Sequence, residues 1–251
     1  MKLMTCTNTK AAMSAADHRV WLESVVLPLS DELANAGFFA CVPDPLISAT
    51  RALLRDSAIG VGAQDAWYEA GDYTGESPAS LLAELGCTHV MLGHADRRAR
   101  GESDELTARK VVGALAGGLM PLVCVGEVDR VSTDEAGAYV VAQLAPVLDA
   151  VDPGTEFAVM YEPGWSIGAR AAAPEHVAGV CETVRGHLAA RSRSSVSLLY
   201  GGGVEPGTYS ALVAAGADIA GLGLGHVVKE KSLLAEVLAE LHEAARFAGR
   251  D

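Results

Sequence analysis

Eight short apolar runs, near residues 2–7, 37–42, 58–63, 88–93, 119–125, 156–161, 195–200 and 218–224, punctuate the chain at intervals. Between and after them lie amphipathic stretches near 16–34, 45–56, 78–85, 104–117, 133–148, 174–191, 206–214 and 231–247. Each run is rich in Val, Leu, Ile, Met, Cys or Phe and too short for a helix. Each is continuously apolar rather than alternating, as expected of a parallel strand covered on both faces. Ser77-Pro78, Ala173-Pro174-Glu175 and Glu205-Pro206 read as helix starts, because proline is tolerated in a first turn. A strand followed by a helix, eight times in 251 residues, predicts an α/β chain closed into a (β/α)8 barrel, one domain spanning 1–251. A doubly wound open sheet is the rival. Its phosphate fingerprint G-x-G-x-x-G is missing after the first run, where Thr7-Asn8-Thr9-Lys10 stands instead. No linker, low-complexity tract or charge block divides the chain.

The net charge of −13 argues against nucleic acid or an anionic membrane surface as a partner. A small anionic ligand is still compatible, since local backbone amides and a single lysine can outweigh a distant field. The five cysteines are widely spaced, odd in number and form no C-x-x-C pair, so a reduced, cytoplasmic chain is expected. The first ten residues hold no apolar stretch long enough for a signal peptide, and no run approaches the ~18 apolar residues of a membrane span.

In such a barrel, chemistry sits where strands hand over to the loops that follow them. Lys10 stands after the first run; the other lysines are at 2, 110, 229 and 231, and none is placed at a strand end. It could aim a cation at a carbonyl or phosphate oxygen, or be a solvated loop lysine. His94 follows the buried fourth run and Gly93. A short helix starting at Ala95 would depress its pKa and keep the imidazole neutral, able to donate to a carbonyl; the plainer reading is a turn cap. Glu162 directly follows the sixth run. Burying a carboxylate raises its pKa and makes a useful base, unless neighbouring amides satisfy it. Pro163, Gly164 and Trp165 read as a hinge, with Ser166-Ile167-Gly168 as a lid tip. Tyr200-Gly201-Gly202-Gly203 and Gly221-Leu222-Gly223-Leu224-Gly225-His226 bring glycine-rich turns to the seventh and eighth positions. Their amides can approach an oxyanion closely, though glycines also serve tight turns. Lysine, histidine, glutamate and two glycine loops fall in order at the same end of one barrel, which favours a shared site.

The words around these residues are specific. Asn8-Thr9-Lys10, Gly71 to Ser77 (GDYTGES), Leu92 to Arg98 (LGHADRR), Cys124-Val125-Gly126-Glu127, Tyr161 to Gly168 (YEPGWSIG) and Tyr200-Gly201-Gly202-Gly203 resemble, over nearly the whole chain, the triosephosphate isomerase family. The resemblance implies the TIM barrel and a cofactor-independent, metal-free aldose–ketose isomerase of carbohydrate metabolism (glycolysis and gluconeogenesis). Its substrate would be a small phosphorylated sugar. It implies that Glu162 moves the proton, that His94 polarises the carbonyl and that Lys10 stabilises negative charge. Asn8 would help hold substrate and Lys10. Amides of Gly168, Gly202, Gly203 and the Gly225-His226 turn would grip phosphate. It also implies a homodimer joined through the 64–77 loop.

The chain departs from the family around this set. Ala95 stands for a serine, Asp96 for a glutamate, Gly164 for a valine, Gly203 for a serine and His226 for a second glycine. Counted from Trp165 to Pro174, the lid is one residue shorter. Altered grip beside unaltered reacting groups leaves two alternatives open. One is a paralogue isomerising a longer ketose phosphate such as an erythrulose phosphate, with His226 or Arg170 touching the extra atoms. The other is a non-catalytic phosphosugar-binding barrel. A Schiff-base aldolase would need a desolvated lysine inside the barrel, and the sixth strand ends in glutamate instead.

Overall fold

The computed structural model describes residues 3–248; Lys2, the first residue of the first expected strand, lies outside them. The strands are β1 (Thr5–Asn8), β2 (Phe38–Val42), β3 (Gly60–Ala63), β4 (His89–Leu92), β5 (Met120–Val125), β6 (Ala158–Tyr161), β7 (Ser197–Gly201) and β8 (Gly221–Leu224). They pair in sequence order, all parallel, and β8 returns to β1 with Cys6 opposite Gly223, closing the barrel. The helices are α1 (Ala15–Trp21), α2 (Ser30–Asn35), α3 (Ile47–Leu53), α4 (Ala79–Glu84), α5 (Ala95–Arg98), α6 (Asp104–Ala116), α7 (Thr133–Ala150), α8 (Pro174–Ala190), α9 (Thr208–Ala214) and α10 (Lys231–Ala248).

The eight runs and the eight strands coincide. Other expected elements differ from the observed ones. The stretch 16–34 is broken by a π turn at Leu22–Val26 and a 3-10 turn at Leu27–Leu29. Pro28 cannot donate to the ladder, so the hydrogen-bond pattern must change around it. The helix expected from 206 starts at Thr208, because Gly207 adopts φ +89° as its cap. The strand-8 glycine word is mostly strand, so only Gly225-His226 belongs to the loop.

Alternation along the strands sorts side chains into two layers. Phe38, Ala40, Val42, Val90, Leu92, Val123, Val125, Val159, Tyr161, Leu198 and Tyr200 face the helices and join the main core. Cys6, Phe39, Cys41, Met91, Leu122, Cys124, Ala158, Met160 and Leu199 fill the barrel. This interior is small and sulfur-rich, so it packs tightly beneath the mouth while leaving space above it. The same alternation, continued one residue past β6, turns Glu162 inward above Met160.

A buried ionic ring ties the mouth to the outer helices. Lys110 of α6 is fully buried. Its Nζ donates to Asp65, just past β3, at 2.8 and 2.9 Å, and to Glu102 at 2.6 Å. Arg97 of α5 joins the same two carboxylates at 2.8 and 2.7 Å. Two cations and two anions close the ring, so α5 is fixed between β3 and α6. Lys110→Met leaves two enclosed carboxylates sharing one arginine. It should destabilise the protein by about 3–5 kcal/mol in urea unfolding; a loss below about 1 kcal/mol would show that the ring is not a structural unit.

Candidate active site

Glu162 is held by its backbone: its N–H donates to the carbonyl of Val125 at 2.8 Å. Gly201 makes room for it, since a Cβ there would lie 3.2 Å from Glu162 Oε1. The side chain is only 14% exposed, and Oε2 lies 3.4 Å from His94 Nε2. That oxygen has no hydrogen-bond partner in the protein. Burial pushes the Glu162 pKa up to about 7, against the pull of the Lys10 charge and with a small push from Asp96. A carboxylate in this state is a base poised near neutrality.

His94 caps α5. Gly93, at φ +67°, turns the chain after β4, and His94 Nδ1 then accepts the N–H of Asp96 at 3.0 Å. An accepting Nδ1 places the ring proton on Nε2, the nitrogen that faces Glu162. His94 is 4% exposed. Burial and the Lys10 charge lower its pKa to about 4, with Asp96 opposing them. The ring is therefore a neutral donor across the neutral pH range.

Lys10 has φ +50°, one of two non-glycine residues with positive φ among the described residues. Such a conformation costs about 1–3 kcal/mol, and the surroundings hold it in place. The Lys10 N–H donates to Asn8 Oδ1 at 2.9 Å, and Gln64 Nε2 donates to the Lys10 carbonyl at 3.1 Å. Lys10 Nζ reaches Asp96 Oδ2 at 3.0 Å, so the shorter carboxylate still meets it. Asn8 Nδ2 turns down to Met91 Sδ at 3.3 Å.

These side chains share one cavity of about 270 Å³ at the barrel mouth. Asn8, Lys10, His94, Glu162, Gly168, Gly202, Gly203, Gly225 and His226 all line it. Arg170 is exposed and lies outside the lining. Lys229 does line it, close in sequence to His226. The sequence offered no signal for Lys229, because it lies past the end of β8 on a short 3-10 turn, His226–Lys229.

The segment after Glu162 forms a flap with two anchors. At one end Trp165 Nε1 donates to the buried Glu127 at 2.8 Å. At the other the Ala172 N–H donates to Tyr200 Oη at 2.9 Å. Between them Ile167 and Gly168 (φ +71°) cover the cavity. The flap rests on the turn after β7 so closely that a Cβ on Gly203 would lie 2.4 Å from the Ala169 carbonyl oxygen. On Gly202 it would lie 2.1 Å from Ser166 Oγ. No sequence signal marks Tyr200 and Glu127 as the anchors of this flap, because buried polar groups that act on a distant loop leave no periodic trace.

A family model described as triosephosphate isomerase matches residues 3–243. A triosephosphate isomerase of Azoarcus sp. is 44% identical over 187 residues, covering 71% of this chain and 77% of that one. One of Cupriavidus taiwanensis is 39% identical over 214 residues, covering 81% and 86%. The crystal structure of triosephosphate isomerase from Bartonella henselae shares the fold, with a TM-score of 0.78 and 24% identity over 97% of this chain and 100% of that one.

The raised pKa of Glu162 has a consequence for stability. Below the ordinary value of 4.5 the group is protonated folded or unfolded. Between 4.5 and about 7 the unfolded chain releases the proton first, so stability falls as pH rises through that window. Glu162→Gln removes this loss. The variant should be more stable than the parent by about 3 kcal/mol at pH 8, with the difference vanishing near pH 4.5 in denaturant titrations. A difference that does not vary with pH would show that the carboxylate is not desolvated.

Proposed function

The chain belongs to the triosephosphate isomerase family, and from that premise we propose the reaction and the part each residue plays in it. The protein is an isomerase that interconverts a ketose phosphate and an aldose phosphate. The names of its relatives point to dihydroxyacetone phosphate and glyceraldehyde 3-phosphate. Glu162 takes a proton from the carbon beside the carbonyl. The C–H electron pair forms the carbon–carbon double bond of an enediolate, and the carbonyl π pair moves onto oxygen. His94 Nε2–H donates to that oxygen, and Lys10 lowers the energy of its negative charge. His94 gives its Nε2 proton to that oxygen and takes one from the adjoining hydroxyl, which moves the negative charge to the second oxygen. Return of the proton from Glu162 to the neighbouring carbon then forms the new carbonyl and completes the isomerisation. The proton stays between substrate and protein, so the scheme requires no cofactor. Asn8 positions Lys10 and substrate, while amides of Gly168, Gly202, Gly203 and the Gly225-His226 turn hold the phosphate. One observation carries this reading above all. A buried carboxylate with an unpartnered oxygen lies 3.4 Å from a neutral imidazole donor in a cavity sized for a small ligand.

We also read the protein as a cytoplasmic homodimer. All five cysteines are free and buried. Among the described residues, no helix is long and apolar enough to cross a membrane. Residues 71–76 are exposed at the tip of the 64–77 loop. The base of that loop is fixed by Asp65 and by Arg109, which stacks 3.7 Å over Tyr68. A cleft of about 430 Å³ opens beside the catalytic residues, lined by Asn8, Lys10, His94 and Asp96. The loop tip of a second copy would fit it.

Kinetic assays and light scattering test these readings. Assayed at equal concentration, the triose phosphates should turn over faster than the erythrulose phosphates. Glu162→Gln should lower kcat by about 10²–10⁴-fold, and kcat/KM of the parent should fall below about pH 7 as Glu162 gains a proton. Faster turnover of the tetrulose phosphates would make this a paralogue, and absence of α-hydrogen exchange with every substrate would make it a binding protein. Light scattering should give twice the 25.9 kDa of one chain; a particle of one chain's mass would refute the dimer.

A further inference from the structure

The turn after β8 carries a lysine that the proposed reaction leaves unused. Residues His226–Lys229 form a 3-10 turn, entered through Gly225. Its central residues, Val227 and Val228, are buried. Trp21 Nε1 of α1 donates to the Val228 carbonyl at 2.7 Å, and the Glu230 N–H closes the turn on the Val227 carbonyl at 3.3 Å. Below it, Thr7 Oγ1 of β1 donates to the Leu224 carbonyl at 2.8 Å. The backbone that carries Lys229 is therefore fixed to the barrel and to the first helix. Positions i and i+3 of a 3-10 helix eclipse, so His226 and Lys229 share one face. Both line the cavity that holds Glu162 and His94, whereas Glu230 does not.

Charge in that cavity is unevenly committed. A phosphate monoester carries about 1.5–2 negative charges near neutral pH, and the chain as a whole has a net charge of −13. Among the described residues, the lining holds the lysines Lys10 and Lys229 and no arginine. Lys10 Nζ is met by Asp96 at 3.0 Å. His94 is neutral, its pKa lowered to about 4. Glu162 adds negative charge once ionised. Lys229 is exposed and has no ion pair among the described residues. Its place is beside the glycine turns. Strands β7 and β8 are neighbours, with Gly201 opposite Gly223. The turn with Gly202 and Gly203 therefore lies next to the one that runs from Gly225 to Lys229. Backbone amides give a phosphate directed donors but no net charge; a lysine gives it a point charge.

We propose that Lys229 is a phosphate-binding residue of this cavity, its ammonium group meeting the phosphate held by the glycine turns after β7 and β8. The inference rests on the reading of the cavity as a phosphosugar site. It adds a side chain that selects phosphorylated over unphosphorylated sugars. Lys10 is left to the oxygen on which charge develops, and Lys229 to the charge that stays constant through the reaction. A contact of the second kind is equally strong in ground and transition states. Its loss raises KM and leaves kcat close to the parent's.

The test uses inorganic phosphate and needs no turnover. The dissociation constant is measured by phosphorus NMR line broadening at fixed ionic strength and about pH 8, where phosphate is a dianion. Lys229→Met should bind phosphate about 10-fold more weakly than the parent, the loss of one hydrogen bond to a charged group. Lys229→Arg keeps the charge and should bind as the parent does. Lys231→Met removes the same charge from the first residue of α10, outside the cavity lining, and should also bind as the parent does. Equal weakening in Lys229→Met and Lys231→Met would assign the effect to the distant field and overturn the proposal. Unchanged affinity in Lys229→Met, or no phosphate binding by the parent, would overturn it as well. With the triose phosphates, Lys229→Met should raise KM at nearly constant kcat; a fall in kcat at constant KM would count against the assignment. A parent that binds phosphate through Lys229 yet turns over no substrate would remove the isomerase reading and leave this one standing.

Discussion

Enclosing Glu162 with one oxygen unpaired works against folding at neutral pH, and the remainder of the mouth is organised around that tension. The barrel supplies the enclosure. Period-two alternation carries the side chain inward after β6, and Gly201 leaves the space it occupies. The interior below is filled by cysteine, methionine and small aliphatic side chains, which offer it no hydrogen bond of consequence. Its charge is met by Lys10 through space rather than by contact, so the base keeps a pKa of about 7 instead of being locked as a permanent anion. His94 experiences the same surroundings with the opposite result. Burial removes its charge and leaves a neutral donor. One enclosure thus leaves a carboxylate able to take a proton near neutrality beside a neutral imidazole donor, the pairing that triosephosphate isomerase exemplifies among known enzymes.

Positions this exacting require a frame. Lys10 keeps a left-handed backbone only because Asn8, Gln64 and Asp96 each take one of its polar groups. Asp96 in turn belongs to α5, four residues long and too short to hold itself. The ring of Lys110, Glu102, Asp65 and Arg97 fixes that helix from behind, and Arg98 returns to the Gly93 carbonyl at 2.6 Å to fix its start. A chain of polar contacts therefore runs from the outer helix α6 to the cation at the mouth, each link enclosing what the next needs to hold still.

Much of this could be read from the chain itself. Strands covered on both faces must be continuously apolar, so the eight runs stand out against amphipathic helices, and the ends of those runs lead to Lys10, His94 and Glu162. Other features were silent for physical reasons. Lys110 looks like any helix lysine until Asp65 and Glu102, 45 and 8 residues away in sequence, converge on it. Lys229 reaches the cavity from a 3-10 turn that has no apolar period. The break at Leu22–Leu29 is hidden because the apolar face runs on through it while Pro28 alters only the hydrogen bonds. Contacts made by a side chain across the barrel leave no periodic trace.

The resemblance implies two departures here, a flap one residue shorter and glycine at 203, and one geometry accommodates both. A serine side chain at 203 is incompatible with the flap as it lies here. Its Cβ would fall 2.4 Å from both the Ala169 carbonyl oxygen and the Ala171 nitrogen, inside any real contact distance. Glycine at 203 lets the backbone of Ala169–Ala171 take the place of the missing side chain. A shorter flap of the kind the resemblance implies would have less chain with which to arch over the turn after β7, and resting directly on it satisfies that geometry. The flap is held here by backbone packing against Gly203, between the anchors at Glu127 and Tyr200. Gly168, Gly202 and Gly203 still line the cavity beside that contact. A short flap and a glycine at 203 are thus compatible with these residues staying at the cavity, under a cover held by backbone packing.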